Sequence, residues 1–444
     1  MKEREEIRIK EITPEEKMSE LTALAKRRGI IFQGSEIYGG LNGFWDYGPV
    51  GVELKRRIID FWWDEMVRKR EDVVGIDSAI IMHPDVWKAS GHTDQFFDLM
   101  RECDSCKKRF RADKVEGDTC PECGGKLGVP RQFDLMFKTY VGAEASSQSI
   151  AYLRPETAQG IFINFKNIVS TSRMKIPFGI AQIGKSFRNE VTPRNFIFRS
   201  REFEQMELEY FVNPKDEKDW FSYWVEERFR WYLELGIKKE NLRLRSHERE
   251  ELAHYAISCT DVEYLFPFGW QELEGIADRG DFDLSQHIKY SKKDLSYFDE
   301  ATKEKFIPKV IEASAGVDRT LLTVLVDAFR IEILPNGEER RVLGLSPRVA
   351  PVEVAVFPLV RKLSEPAKGL ASELKKHFTV FYDEKGAIGK LYRRQDEIGT
   401  PYCITFDFQS LEDNQVTVRD RDTMLQDRIA IASLISYLRE KLKK

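Results

Sequence analysis

FRNEVTPRNFIFRSREFEQMELEY, residues Phe187 to Tyr210, alternates strand-favouring and charged side chains around a turn. The runs Phe187–Glu190 and Phe203–Tyr210 predict two strands, with Thr192-Pro193-Arg194-Asn195 supplying turn chemistry between them. Side chains alternate across a strand, so Arg188 and Glu190 are expected on one face and Phe203, Gln205, Glu207 and Glu209 on one face of the second arm. A hairpin with one core face normally hides apolar groups there. This one lines up a guanidinium, carboxylates and an aromatic plane, which suits a ligand with phosphate, a flat ring and an ammonium group. Composition alone equally allows a solvated charged hairpin.

The spacing separates the two readings. Arg188-x-Glu190, then Arg199-x3-Phe203-x3-Glu207, resembles the second signature motif of class II aminoacyl-tRNA synthetases. The longer string FRNE…FRSREFEQMELEYF is similar to the homodimeric glycyl-tRNA synthetase family. That resemblance implies an α+β fold, an antiparallel sheet flanked by helices. It adds a small zinc-ribbon insertion and a C-terminal α/β anticodon-binding domain.

The totals agree with such a chain. Its 444 residues suggest two to four domains with a sizeable core. A composition of 42% hydrophobic and 32% charged residues is that of a soluble globular protein, and no apolar run approaches a membrane span. The N-terminus lacks an apolar signal region, so a cytoplasmic location is expected. A net charge of -4 excludes a globally basic nucleic-acid binder, which leaves tRNA contact to local patches.

Residues 1–12 read as a charged, mobile arm. Thr13 as N-cap, Pro14 and Glu16 predict a helix start, and Gly29 its end. Scattered glycines from Gly34 to Gly51 lack the phosphate-loop pattern and read as turns into a helix from about Val50 to Lys69. Ile76–Met82 is expected as a strand. The apolar face of that helix fits a core or a subunit contact equally; the resemblance implies the contact of a homodimer. His92, a lone histidine, reads as a structural hydrogen-bonding residue.

Cys103-x2-Cys106 and Cys120-x2-Cys123 form a four-thiolate set within residues 101–130. Four soft ligands suit tetrahedral structural Zn2+, and no thioredoxin-like context supports a redox pair. Cys259 and Cys403 stand alone. Residues 213–260 read as a helical insertion whose Trp224, Phe229, Tyr232 and Leu233 pack, with no candidate site residue. Ile307–Glu312 is expected as a strand before the helix Thr320–Ala328, similar to the third class II motif. Leu334–Arg341 reads as a polar connector. Residues 1–345 are expected as the catalytic domain and 349–444 as the anticodon-binding domain, where Lys390, Arg393 and Arg394 are either a solvated face or a contact for tRNA phosphates.

The resemblance also implies roles. ATP is expected at Arg188, Asn189, Glu190, Phe198, Arg199, Ser200, Arg201, Glu202 and Phe203, at Glu272 and Leu273, and at Gly316, Val317, Asp318 and Arg319. Phe203 and Arg319 would sandwich adenine, Glu190 would hold its amine, and Arg188 would bridge the carboxylate and α-phosphate. Glu272 would reach ATP through Mg2+. Glycine is expected at Arg111, at Glu156 for its ammonium, at Phe203, Glu204, Gln205, Met206 and Glu207, at Arg279, and at Glu312, Ala313, Ser314, Ala315 and Gly316. The family usually has threonine at Gly280 and proline at Ala313, and many class II enzymes have glutamate at Asp318. The implied activity is ATP-dependent activation of glycine and transfer to tRNA(Gly). A class II synthetase for another small amino acid, or a synthetase-like nucleic-acid-binding subunit without catalysis, are the alternatives.

Overall fold

The computed structural model describes residues 7–146 and 149–443. Its centre is a seven-stranded sheet in the order Leu242–Ser246, Ser258–Phe266, Gly269–Gly280, Lys309–Gly316, Glu202–Val212, Phe178–Phe187, Val73–Gly75. Every neighbouring pair is antiparallel except the last, which is parallel. Alternation decides what each face carries. Met206, Leu208 and Tyr210 join Ala313 and Ala315 in the main core, over the helices Pro49–Trp63, Trp220–Leu235 and Val317–Ala328. The odd-numbered residues of Glu202–Val212 face the other way, where Phe211 packs with Phe162 and Phe165 of the helix Ala158–Ser172.

The hairpin differs from expectation at its first arm. The strand there is Phe178–Phe187, so Arg188 and Glu190 lie just past its end in irregular backbone. Arg188 still pairs its N–H with the Arg201 carbonyl at 2.9 Å, and Phe196–Phe198 forms a short 3₁₀ turn between the arms. The second arm runs Glu202–Val212, longer than predicted because the central sheet pairs it on both sides.

Thr13 caps the helix Pro14–Arg27 with the full capping box to Glu16. The helix Pro49–Trp63 continues into a wider turn, Asp64–Arg68. Of the expected strand 76–82 only Ile81–Met82 forms, pairing with Ile150–Leu153, while Val73–Gly75 is a separate strand in the central sheet. The charged arm is corrected in part: residues 1–6 lie outside the described residues, while Arg8–Ile9 pairs with Phe329–Ile333. Residues 213–260 are not a helical insertion. They hold the buried core helix Trp220–Leu235, the edge strand Leu242–Ser246 and the start of Ser258–Phe266. The connector 334–341 is a hairpin turn into Glu339–Leu343, and the side chain of Arg340 is buried. Its charge pattern hid a strand that pairs rather than floats.

A second sheet, five-stranded, holds Val380–Tyr382, Val354–Pro358, Tyr402–Phe406, Gln415–Asp420 and Gln426–Ala430 around its own core. Gln426–Ala430 is one of its edge strands, and the last helix, Leu434–Leu442, follows it. Lys390, Arg393 and Arg394 do sit on one helix, Ile388–Asp396, where Arg394 pairs with Asp383 at 3.1 Å. Phe97–Glu102, Arg109–Arg111 and Arg131–Asp134 make a small sheet carrying the cysteines.

Candidate active site

On the sheet face opposite the main core lies a cavity of about 310 Å³, floored by the strands Glu202–Val212, Gly269–Gly280 and Lys309–Gly316. Strand register assembles it. Glu207 stands opposite Ser314, Glu209 opposite Glu312, and Gly275 opposite Ser314 on the far side. Gly275 keeps the floor low: a Cβ there would meet only the Asp261 and Glu272 carboxylates, 3.7 and 3.9 Å away.

Charge is divided between the two ends. At one end stand Arg188, Arg199 and Arg319. The Arg188 guanidinium lies 5.3 Å from the Phe203 ring centre and 5.5 Å from Phe96, while its Nε donates to the Pro155 carbonyl at 3.0 Å. Arg199 donates to Glu190 at 2.7 Å. Arg319 lies over Phe198 at 4.6 Å and pairs with Glu272 at 3.3 Å. It projects from the first turn of Val317–Ala328, whose free N–H groups favour an anion. Asp318, beside it, accepts from Tyr47 and from the Glu204 N–H at 2.7 Å.

The other end is acidic. Glu156 accepts from Gln159 at 3.0 Å and faces His92 Nε2 at 3.5 Å. Burial would push its carboxyl up, but His92, Arg279 and Gln159 outweigh that and hold it well below the ordinary range. Glu207 is buried and accepts from the Thr157 hydroxyl at 2.7 Å, so Thr157 spends its side chain there and not on capping its helix. Glu209 is buried with neither carboxylate oxygen hydrogen-bonded, and burial plus the charge of Glu312 pushes its carboxyl far up. Arg279 lies beneath this end, gripping Asp283 at 2.7 and 2.9 Å and donating to Glu312 at 2.9 Å. The Tyr255 ring, 3.7 Å from its guanidinium, stands beside it and lines the cavity.

Of the residues expected from sequence, Glu156, Arg188, Glu190, Phe198, Arg199, Ser200, Phe203, Gln205, Glu272, Leu273, Glu312, Ser314, Ala315, Gly316, Asp318 and Arg319 line this one cavity. Others do not reach it. Met206 and Ala313 point into the main core, and Glu204 pairs with Lys55 on that same side, because each is one residue out of phase with the cavity face; Val317, the first residue of its helix, is buried in the same core. Glu202 is held by Lys185 at 2.8 Å, and Arg201 donates to the Glu190 and Asn42 carbonyls. The Asn189 N–H is taken by the Leu135 carbonyl. Arg111 pairs with Asp98 and Asp113, close enough to Glu190 to feel its charge. Glu207 and Arg279 act from below the lining. Gly280 has φ +55, a conformation glycine takes without strain, with its N–H donating to Asp278 at 3.0 Å.

Sequence reasoning missed His247, Tyr255 and Cys259, which line the cavity from the stretch read as an insertion, and Asp261, which follows it. His92 hydrogen-bonds as expected, its Nδ1 meeting the Ser90 hydroxyl at 2.8 Å, and its Nε2 faces Glu156 at 3.5 Å, a partner the sequence did not name. Only the alternation Cys259-x-Asp261 hinted at a shared strand face.

The four ribbon cysteines converge, with Cys103 and Cys123 sulfurs 3.5 Å apart and Cys106 and Cys120 sulfurs 3.7 Å apart. Those separations are too long for disulfides. They match the edge of about 3.8 Å that a tetrahedron with metal–sulfur bonds of about 2.3 Å requires. The thiol set therefore fits zinc.

Among the described residues no helix is long and apolar enough to cross a membrane. Residues 142–328 match the family described as tRNA synthetase class II core domain (G, H, P, S and T), and residues 353–441 match the anticodon binding domain. Glycine–tRNA ligases are similar nearly end to end. That of Thermobifida fusca is 54% identical over 454 residues, covering 96% of this chain and 98% of its own. That of Acetivibrio thermocellus is 55% identical over 453 residues, with the same shares, and that of Borreliella burgdorferi 53% over 434 residues. With identity this high across almost the whole length, on a class II core and an anticodon-binding domain, the chain belongs to the glycine–tRNA ligase family.

Proposed function

We infer that this protein is a glycine–tRNA ligase that joins glycine to ATP and passes the glycyl group to tRNA(Gly). The observation that carries the reading is the division of one cavity into a cationic, aromatic end and a buried acidic end. A nucleotide suits the first and an amino acid's ammonium the second.

In the first step the glycine carboxylate attacks the α-phosphorus and pyrophosphate leaves. In the second, a terminal tRNA ribose hydroxyl attacks the glycyl carbonyl and AMP leaves. Neither needs a protein nucleophile. Arg188 sits where it can hold the carboxylate against the α-phosphate, and the negative charge that gathers there is what it stabilises. Arg319 and Phe203 are the walls for adenine and Glu190 the acceptor for its amine. Glu156, Glu312 and Ser314 form the amino-acid end, with Glu207 supporting it from beneath. Carboxylates set around the α-carbon reject a side chain by overlap and by burial of unpaired charge, so no editing site is required.

We assign Mg2+ to Glu272, whose half-exposed carboxylate is a hard oxygen ligand near Arg319. Zn2+ is assigned to the four ribbon cysteines, where a closed shell supports folding and leaves no position for chemistry. Residues 1–345 are read as the catalytic domain and 349–444 as the anticodon-binding domain, in a cytoplasmic homodimer. The test is amino-acid-dependent ATP–pyrophosphate exchange with glycine, alanine and serine. Glycine should support exchange at least about a hundredfold better than either. Preference for alanine or serine would reassign the amino acid, and no exchange with any would leave a binding subunit.

A further inference from the structure

His247, Cys259 and Asp261 have no part in the chemistry above, yet all three line the cavity. Sheet geometry fixes their grouping. Cys259 and Asp261 are two residues apart on one strand and so share a face. His247 follows the edge strand Leu242–Ser246, and its N–H bonds the Cys259 carbonyl at 2.9 Å, continuing the ladder in which Ser246 faces Thr260. The side-chain atoms lie within 4.8 Å of one another. His247 Nε2 is 2.7 Å from one Asp261 oxygen, and the Cys259 sulfur is 3.8 Å from the other.

We propose that His247, Cys259 and Asp261 form a second metal site, for a borderline divalent cation such as zinc or cobalt, with its remaining coordination position turned into the nucleotide cavity. Imidazole, thiolate and carboxylate together select such ions over magnesium or calcium, which prefer oxygen alone. Three protein ligands and an open position are the pattern of zinc sites that take an exogenous ligand. The present separations bracket those of a tetrahedral shell, so filling it requires the His247–Asp261 pair to open by less than about 1 Å. As the metal–sulfur bond forms, the thiol proton leaves to solvent. Nε2 then binds through its lone pair while Nδ1 keeps the ring proton. Glu272 and Glu312 add negative charge around Cys259, a field that favours an incoming cation.

The test uses the full chain with its ribbon zinc in place, titrated with Co2+ in the absence of ATP, glycine and tRNA. The outcome is therefore independent of the ligase reading. Expected is a thiolate-to-cobalt charge-transfer band that saturates at about one cobalt per chain, with ribbon zinc unchanged by emission spectrometry. Cys259→Ser should abolish the band, and His247→Ala should weaken cobalt binding at least about tenfold. Absence of the band, its survival in Cys259→Ser, or growth only as ribbon zinc is displaced would overturn the site. If Cys259→Ser does not fold by circular dichroism, His247→Ala decides: unchanged cobalt affinity overturns it.

Discussion

Arg188 shows what a single side chain contributes. Its guanidinium is held between Phe96 and Phe203 and anchored on the Pro155 carbonyl, so its direction is set before any ligand arrives. Removing a preoriented charge donor of this kind costs about 10²–10³ in rate. Arg188→Ala is expected to lower glycine-dependent pyrophosphate exchange by that factor or more while tRNA binding, followed by filter retention, persists; wild-type exchange would refute its role. Glu209 gives a different prediction. Burial and the charge of Glu312 keep its carboxyl protonated in the fold. The unfolded chain gives up that proton above about pH 4.3, so the folded state loses stability as pH rises beyond it, by up to about 1.4 kcal/mol per unit. Glu209→Gln carries no such proton. Its melting temperature should match wild type near pH 4 and exceed it increasingly towards pH 8, and a pH-independent difference would contradict the buried neutral acid.

At the scale of the element, the ribbon and the central strands behave differently. The small sheet Phe97–Glu102, Arg109–Arg111 and Arg131–Asp134 has a core of little more than Leu127 and the cysteines themselves, with Phe110 and Val115 packed against it. So few apolar contacts cannot order the segment alone, and metal binding there is folding energy. Cys120→Ser is expected to lose about one zinc per chain by emission spectrometry and to expose residues 101–130 to limited proteolysis. A metal-free protein with an intact, protease-resistant ribbon would count against zinc. The central strands need no such staple, because each is paired on both sides and alternates between core and cavity.

Across the whole molecule, the strand Glu339–Leu343, which forms a three-stranded sheet with Phe329–Ile333 and Arg8–Ile9, is tied to the C-terminal five-stranded sheet by a buried ionic cluster. Asp396 of the C-terminal region accepts from Arg340 of the Glu339–Leu343 strand at 2.8 Å and from Arg419 at 2.9 Å. Arg340 also donates to Glu332 at 2.6 Å. Burial raises the Asp396 carboxyl, but the two arginines more than reverse that and hold it low. Removing the acid leaves buried Arg419 without its carboxylate and Arg340 with Glu332 alone, at a cost of about 3–5 kcal/mol. Asp396→Ala should shift the urea unfolding midpoint down accordingly, with activity per folded molecule little changed; an unaltered midpoint would mean the cluster does not join the regions.

Periodicity and local chemistry alone determined the capped first helix, the long helix after Pro49, the thiol quartet and the alternation that sets Phe203, Gln205, Glu207 and Glu209 on one face. Each depends on residues close in the chain, where spacing is geometry. The resemblance named the cavity's residues well beyond what spacing could reach. What only tertiary structure decided was depth and company. It set whether Glu207 and Arg279 touch the cavity or support it from beneath, and whether Glu204 and Met206 face in or out. It joined His92 to Glu156 across 64 positions, and brought His247 beside Cys259. It also made the supposed connector at Arg340 a buried strand. Those facts follow from strand pairing and register between distant segments, and no local pattern encodes which distant strand will arrive alongside.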